Sequence, residues 1–191
     1  MDKYLVSEDT QGIALPEEAS LFKAACTDPI VFNGLYMAYI RPVYHYIFSK
    51  VGEARQAEDL TAKVFLAVLE SLPRYRHEGH FAAWLFSIAR HKVADHYRSQ
   101  RGEVAIEETL AESGKTGDPI ATVIQTEEAQ QISKLIHQLD EQDQELLRLR
   151  FVAGLEYGEI ARLIHSNMEA TKKRIYRLLA DLRQQLESHH D

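Results

Sequence analysis

Near the C-terminus, Glu159-Ile160-Ala161-Arg162-Leu163-Ile164-His165-Ser166-Asn167 runs into Thr171-Lys172-Lys173-Arg174-Ile175-Tyr176-Arg177. A short helix with an apolar face stops at a turn, and a second helix then starts with basic residues on its outer face. This is the pattern of a helix-turn-helix, whose second helix is able to enter a DNA major groove. Between Arg162 and Arg183 six basic residues stand against Glu169 and Asp181, a net of +4. Lys173 and Arg177 are four apart with Arg174 beside them, so they share a helical face. Ile175, Leu178, Leu179, Leu182 and Leu186 fall on the opposite face. On charge alone an ordinary solvated helix face is an equal reading. The preceding helix and turn favour phosphate neutralisation or pairing with guanine edges.

The chain as a whole is acidic. It has 191 residues, 45% of them hydrophobic, and a net charge of −7. The length suffices for one or two small domains with real cores, and the hydrophobic share excludes general disorder. Its basic residues must therefore be concentrated to attract nucleic acid. Cys26 is the one cysteine, so no internal disulfide is expected and a reducing cytosol fits. The first residues carry no signal-peptide pattern and no apolar run approaches membrane-spanning length. The expectation is a cytoplasmic protein without membrane insertion.

Working back from the helix-turn-helix, nearly all periodicity is helical, and the fold class expected is all-α. Phe32, Leu35, Tyr36, Tyr39, Ile40, Val43, Tyr44, Ile47, Phe48 and Val51 follow three-four spacing. Pro42 is expected to kink or split that helix and Gly52 to end it. Ala57, Leu60, Val64, Phe65, Val68 and Leu72 line a second helix stopped by Pro73. Phe81, Trp84, Leu85, Ile88 and Ala89 line a third, which turns polar from Asp95 to Arg101. Ile132, Leu135, Ile136 and Leu139 form a stripe further on. Asp140 suits an N-cap with Asp143 in the first turn, and Gly154 is expected to close the helix carrying Leu146, Leu147, Leu149 and Phe151.

Residues 102–126 differ. Gly102, Gly114, Gly117 and Pro119 break structure, and Glu103, Glu107, Glu108, Glu112 and Asp118 against Lys115 leave a net of −4. This reads as a flexible acidic linker. The expected organisation is an acidic extension over 1–29 with a short helix near Glu17 to Ala25, a helical domain over 30–101, the linker, and a second helical domain over 127–188. The acidic extension and linker are expected to mask one or both basic surfaces in the free protein.

A second basic region spans Arg74 to Arg101, where Arg74, Arg76, Arg90, Lys92, Arg98 and Arg101 face Glu78 and Asp95, again +4. The loop from Arg74 to His80 mixes basic, aromatic and flexible residues, which suits single-stranded nucleic acid. A solvated loop ahead of a basic helix end is the alternative. His77, His80, His91 and His96 lack the spacing and companions of a metal site. No phosphate loop, dinucleotide fingerprint or nucleophile elbow occurs. No cofactor, metal or enzymatic activity is expected.

Three blocks together resemble a bacterial RNA polymerase sigma factor of the extracytoplasmic-function (ECF) group. They are AEDLTAKVFL over 57–66, FAAWLFSIAR over 81–90 with Asp95 and Arg98 following, and Leu139 through Leu182. The similarity covers about Val31 to Leu186. It implies a non-enzymatic initiation factor that binds core RNA polymerase, on the clamp helices of its largest subunit and at the flap region, and directs it to promoter DNA. Asp59, Leu60, Thr61, Val64 and Phe65 match the positions implied in core binding, although Phe65 also fits the apolar stripe. Arg76, His77, His80, Arg90, Lys92 and Arg98 fall where the family engages and melts the −10 element, where flipping a base costs a few kcal/mol. Glu169, Lys172, Lys173, Arg174 and Arg177 fall where it reads the −35 element. An anti-sigma factor is a further partner implied by the resemblance. A free-standing helix-turn-helix regulator and a sigma-like decoy with weakened DNA binding are the alternatives. Two departures stand out. His165-Ser166 replaces the family's glycine and apolar residue in the turn, where positive φ favours glycine. Thr61-Ala62-Lys63 replaces Val-Gln-Glu, reversing a charge at Lys63.

Overall fold

The computed structural model describes residues 25, 27–75, 80–104 and 127–188. Among them the chain is helical, with no strand. The expected short helix near Glu17, the loop residues Arg76 and His77, and nearly all of the linker lie outside the described residues.

Helix α1 spans Pro29–Val51. Asp28 caps it, its carboxylate accepting from the Ile30 N–H at 2.8 Å, and Pro29 occupies a first-turn position where no N–H is needed. Gly52 ends it at φ 77°, a left-handed conformation that glycine adopts without steric cost. Pro42 neither splits nor ends this helix. A proline in a helix interior costs about 3 kcal/mol through a lost hydrogen bond and a ring clash. The carbonyl left without its partner belongs to Ala38, on the exposed side, while Val43, Tyr46, Ile47 and Val51 are buried on the other. Inward burial of about 1.5–3 kcal/mol per large side chain is enough to carry the helix across the proline.

Helix α2, Ala54–Ser71, buries Ala57, Leu60, Thr61, Val64, Phe65 and Val68. It passes into a 3₁₀ turn over Leu72–Arg74 that contains Pro73. Helix α3 spans Phe81–Val104, three residues past Arg101. Tyr75, Phe81 and Trp84 gather at its start, with Tyr75 and Trp84 ring centroids 4.5 Å apart and Phe81 and Trp84 5.5 Å apart.

Helix α4, Glu127–Gln138, begins the second group. Helix α5, Glu141–Leu147, is capped by Asp140, whose carboxylate accepts from the Asp143 N–H at 2.8 Å. A π-turn over Arg148–Val152 widens the chain path. It keeps Leu149 fully buried and leads to Gly154 at φ 72°. Helix α6, Tyr157–Leu163, and helix α7, Met168–Ser188, form the helix-turn-helix. At the start of α6, the Glu159 carboxylate accepts from the Glu156 N–H at 2.8 Å, satisfying a donor that the helix start leaves free.

One apolar core runs through both groups. Val43, Ile47, Val64, Leu85 and Phe86 belong to the same cluster as Leu146, Leu149, Leu155, Ile160 and Ile175. Helix α1 packs on the π-turn and α3 packs on α6. A smaller cluster of Leu135, Leu147 and Leu182 fastens α4 to α7. No helix among the described residues is long and apolar enough to cross a membrane.

Candidate nucleic-acid interface

The turn between α6 and α7 is built by backbone hydrogen bonding around a histidine. The His165 N–H donates to the Arg162 carbonyl at 3.2 Å and the Ser166 N–H to the Ala161 carbonyl at 2.7 Å. This pair of bonds is a Schellman motif, which places its middle residue in the left-handed region. His165 occupies that position at φ 56°, the one positive φ outside glycine among the described residues. A left-handed L-residue costs roughly 1–2 kcal/mol. Ser166 is exposed, so the apolar contact that often accompanies the motif is absent at this position. Asn167 then caps α7, its side-chain oxygen accepting from the Ala170 N–H at 2.7 Å. The turn is complete without glycine.

Helix α7 is anchored by Thr171, Ile175, Leu178 and Leu182, all buried. On its other side Glu169, Lys172, Lys173 and Arg177 are exposed. The Lys172 ammonium lies 6.0 Å from the Tyr176 ring centre. Arg174 has a different environment. Its Nε donates to the Asp143 carboxylate at 2.6 Å, and its Nη2 lies 3.9 Å from Asp140. It therefore ties α7 to the start of α5. Of the five residues expected to read the −35 element, four face outward and one is engaged in packing.

The −10 set is dispersed further. Arg98 is exposed and pairs with Asp95 at 2.9 Å, and His80 and Lys92 are half-buried. Arg90 turns toward the second group. Its Nη1 donates to the Leu163 carbonyl at 3.0 Å and its Nε lies 3.2 Å from the Glu145 carboxylate. Glu145 also accepts from the Tyr46 hydroxyl at 2.7 Å and from the Lys50 ammonium at 3.2 Å. Burial and the neighbouring Glu145 carboxylate hold the Tyr46 phenol well above its usual pKa, so it stays a donor. A cleft of about 1750 Å³ opens beside this cluster, lined by Arg74, Trp84, Arg98, Arg148 and Arg162 among others. Its basic and aromatic walls suit an anionic chain with stacking groups.

The core-binding set lies mostly inside the fold. Leu60, Thr61, Val64 and Phe65 are all buried in the domain's own core, and the Thr61 hydroxyl donates to the Ala57 carbonyl at 2.7 Å. Phe65 packs edge-on against Tyr36 with ring centroids 4.8 Å apart. These four are buried and hold α2 against its neighbours. Asp59 is exposed, as are Lys63, Leu66 and Leu69 on the same helix.

Two family models match the chain, Sigma-70 region 2 over residues 35–103 and Sigma-70 region 4 over residues 129–182. The ECF RNA polymerase sigma factor SigD of Mycobacterium tuberculosis is 35% identical over 156 residues, 77% of this chain and 73% of SigD. The chain belongs to the ECF group of the sigma-70 family. The ECF factor BldN of Streptomyces coelicolor is also 35% identical, over 163 residues, and the match spans 84% of this chain but 62% of BldN. Among solved structures, that of CnrH in complex with the cytosolic domain of CnrY shares the fold, with a TM-score of 0.64 at 20% identity, covering 88% of this chain and 96% of CnrH. In this ECF chain the two matched regions are the two helical groups, and Glu145, Tyr46 and Lys50 join them. Helical periodicity does not single out these three. A glutamate four residues before Leu149, on the apolar side of its helix, was the available signal.

Proposed function

We propose that this protein is a transcription initiation subunit that binds core RNA polymerase and directs it to promoters carrying −10 and −35 elements. The observation that carries this reading is the pairing, in one chain, of a region 2 match and a region 4 match with a complete helix-turn-helix whose recognition helix leaves Lys172, Lys173 and Arg177 exposed. The working units are 30–101 and 127–188, joined by the acidic linker. The exposed strip of α2 formed by Asp59, Lys63, Leu66 and Leu69 is the surface offered to the clamp helices. Arg76, His77, His80, Lys92 and Arg98 serve the −10 element, beside the tilted Tyr75–Trp84 ring pair. Glu169, Lys172, Lys173 and Arg177 serve the −35 element, with Arg174 positioning their helix. The protein acts in the cytoplasm and has no catalytic step of its own. An anti-sigma factor is a fitting partner, in line with the complex of the sigma factor RpoE with the anti-sigma factor NepR from Bartonella quintana.

A free-standing regulator is not favoured, because such a protein has no use for a region 2 domain. Transcription reconstituted with cognate core polymerase tests the proposal. Promoter-specific transcripts are expected only when this protein is added. Absence of binding to any cognate core overturns it.

A further inference from the structure

We propose that Glu145 is a latch that holds the free protein in a closed form, and that this latch must open before the two halves engage one promoter. The inference rests on the two-element reading above. Elements centred near −10 and −35 lie about 25 base pairs apart, or roughly 85 Å at about 3.4 Å per pair. In the closed form Arg90, on the −10 side, donates to Leu163 at 3.0 Å, two residues before the His165 turn. The whole of α3 is only about 36 Å long at 1.5 Å per residue. A molecule closed in this way can serve one element at a time.

The closure centres on the buried Glu145 carboxylate, with the exposed Glu141 carboxylate 3.7 Å from Lys50 as a weaker second contact. The Glu145 side chain is 11% exposed, and Lys50 at 15% and Arg90 at 38% approach it from the first group while Tyr46 donates from beneath. Without that carboxylate, Lys50 and Arg90 face a common point as like charges, and the Tyr46 hydroxyl, on a residue 1% exposed, loses its acceptor. A buried ion cluster that loses one member is strongly destabilised. Once the halves part, Lys50 and Arg90 sit on an open surface where water solvates them. The charge cluster thus favours the closed form specifically. Leu146 and Leu149 belong to the shared core, so opening also exposes apolar surface, and a partner must cover it.

Small-angle scattering of the full chain and titration with core polymerase test the latch. Glu145→Lys places a third cation at the cluster and is expected to give a larger radius of gyration. Core affinity is expected to rise about tenfold, because a larger fraction of molecules is competent to bind. Lys50→Glu perturbs the cluster from the other side, in a residue outside the proposed DNA and polymerase contacts, and carries the test if Glu145→Lys does not fold. The double exchange Glu145→Lys with Lys50→Glu is expected to recover part of the compact form, because the 50–145 attraction returns while Arg90 and Glu141 each face a like charge. A wild-type protein already as extended as the variants, or variants as compact as wild type with unchanged core affinity, overturns the latch. Scattering needs no polymerase, so opening without core binding supports the latch and contradicts the initiation reading.

Discussion

Helices α3 and α7 carry the same kind of basic pattern and use it differently. On α3, Arg90 is drawn into the junction with Glu145 and the Leu163 carbonyl, and Arg98 pairs with Asp95 on its own helix. On α7, one arginine, Arg174, is tied down by Asp143, while Lys172, Lys173 and Arg177 stand exposed beside a capped turn. Spacing on a helix shows which side is basic. It does not show which cation is engaged in packing, because that depends on acids brought in from elsewhere in the fold.

The largest expected effect concerns the inward face of α7. Ile175 is fully buried, and Ile175→Ala is expected to lower unfolding free energy by about 3 kcal/mol, read by urea denaturation. A loss below about 1 kcal/mol would break the claim that this face anchors the recognition helix. Next, Arg177→Ala is expected to weaken −35 duplex binding by about 1–3 kcal/mol while leaving the melting temperature unchanged. Arg174→Ala reverses that pattern. Stability is expected to fall by about 1 kcal/mol, discounted for partial exposure, with a smaller loss of DNA affinity than Arg177→Ala gives. Equal effects of the two on binding and on melting would erase the distinction drawn between them. The smallest effect is His165→Gly. Relief of the left-handed histidine is expected to raise stability by about 0.5–1 kcal/mol without changing DNA affinity. A large affinity gain would instead favour a decoy whose turn has lost its function.

Local features were legible in the sequence because they depend on near neighbours. Gly52 ends α1, the Asp140 cap reaches Asp143, and Asn167 caps α7, each within a few residues. No split follows at Pro42 because propensity is local, whereas the burial that holds α1 together comes from other helices. Leu60, Thr61, Val64 and Phe65 share one stripe of α2, so a match to the family block did not separate residues that face a partner from those that support the helix. The Glu145 cluster was out of reach for a different reason. Its members are 95 and 99 residues apart along the chain, and helical periodicity carries no information across that distance. Tyr46 and Lys50 are four apart on α1, but neither residue type signals its partner.

The central claim is that one chain reads a promoter in two places through its two helical groups. Footprinting of a cognate promoter by core polymerase with this protein tests it most directly, comparing wild type with Lys173→Ala/Arg177→Ala. The account predicts that wild type protects both elements and exposes unstacked bases near −10, and that the double variant loses protection at −35 alone. Protection confined to one element with wild type, or loss of both together with the variant still bound to core, would contradict it.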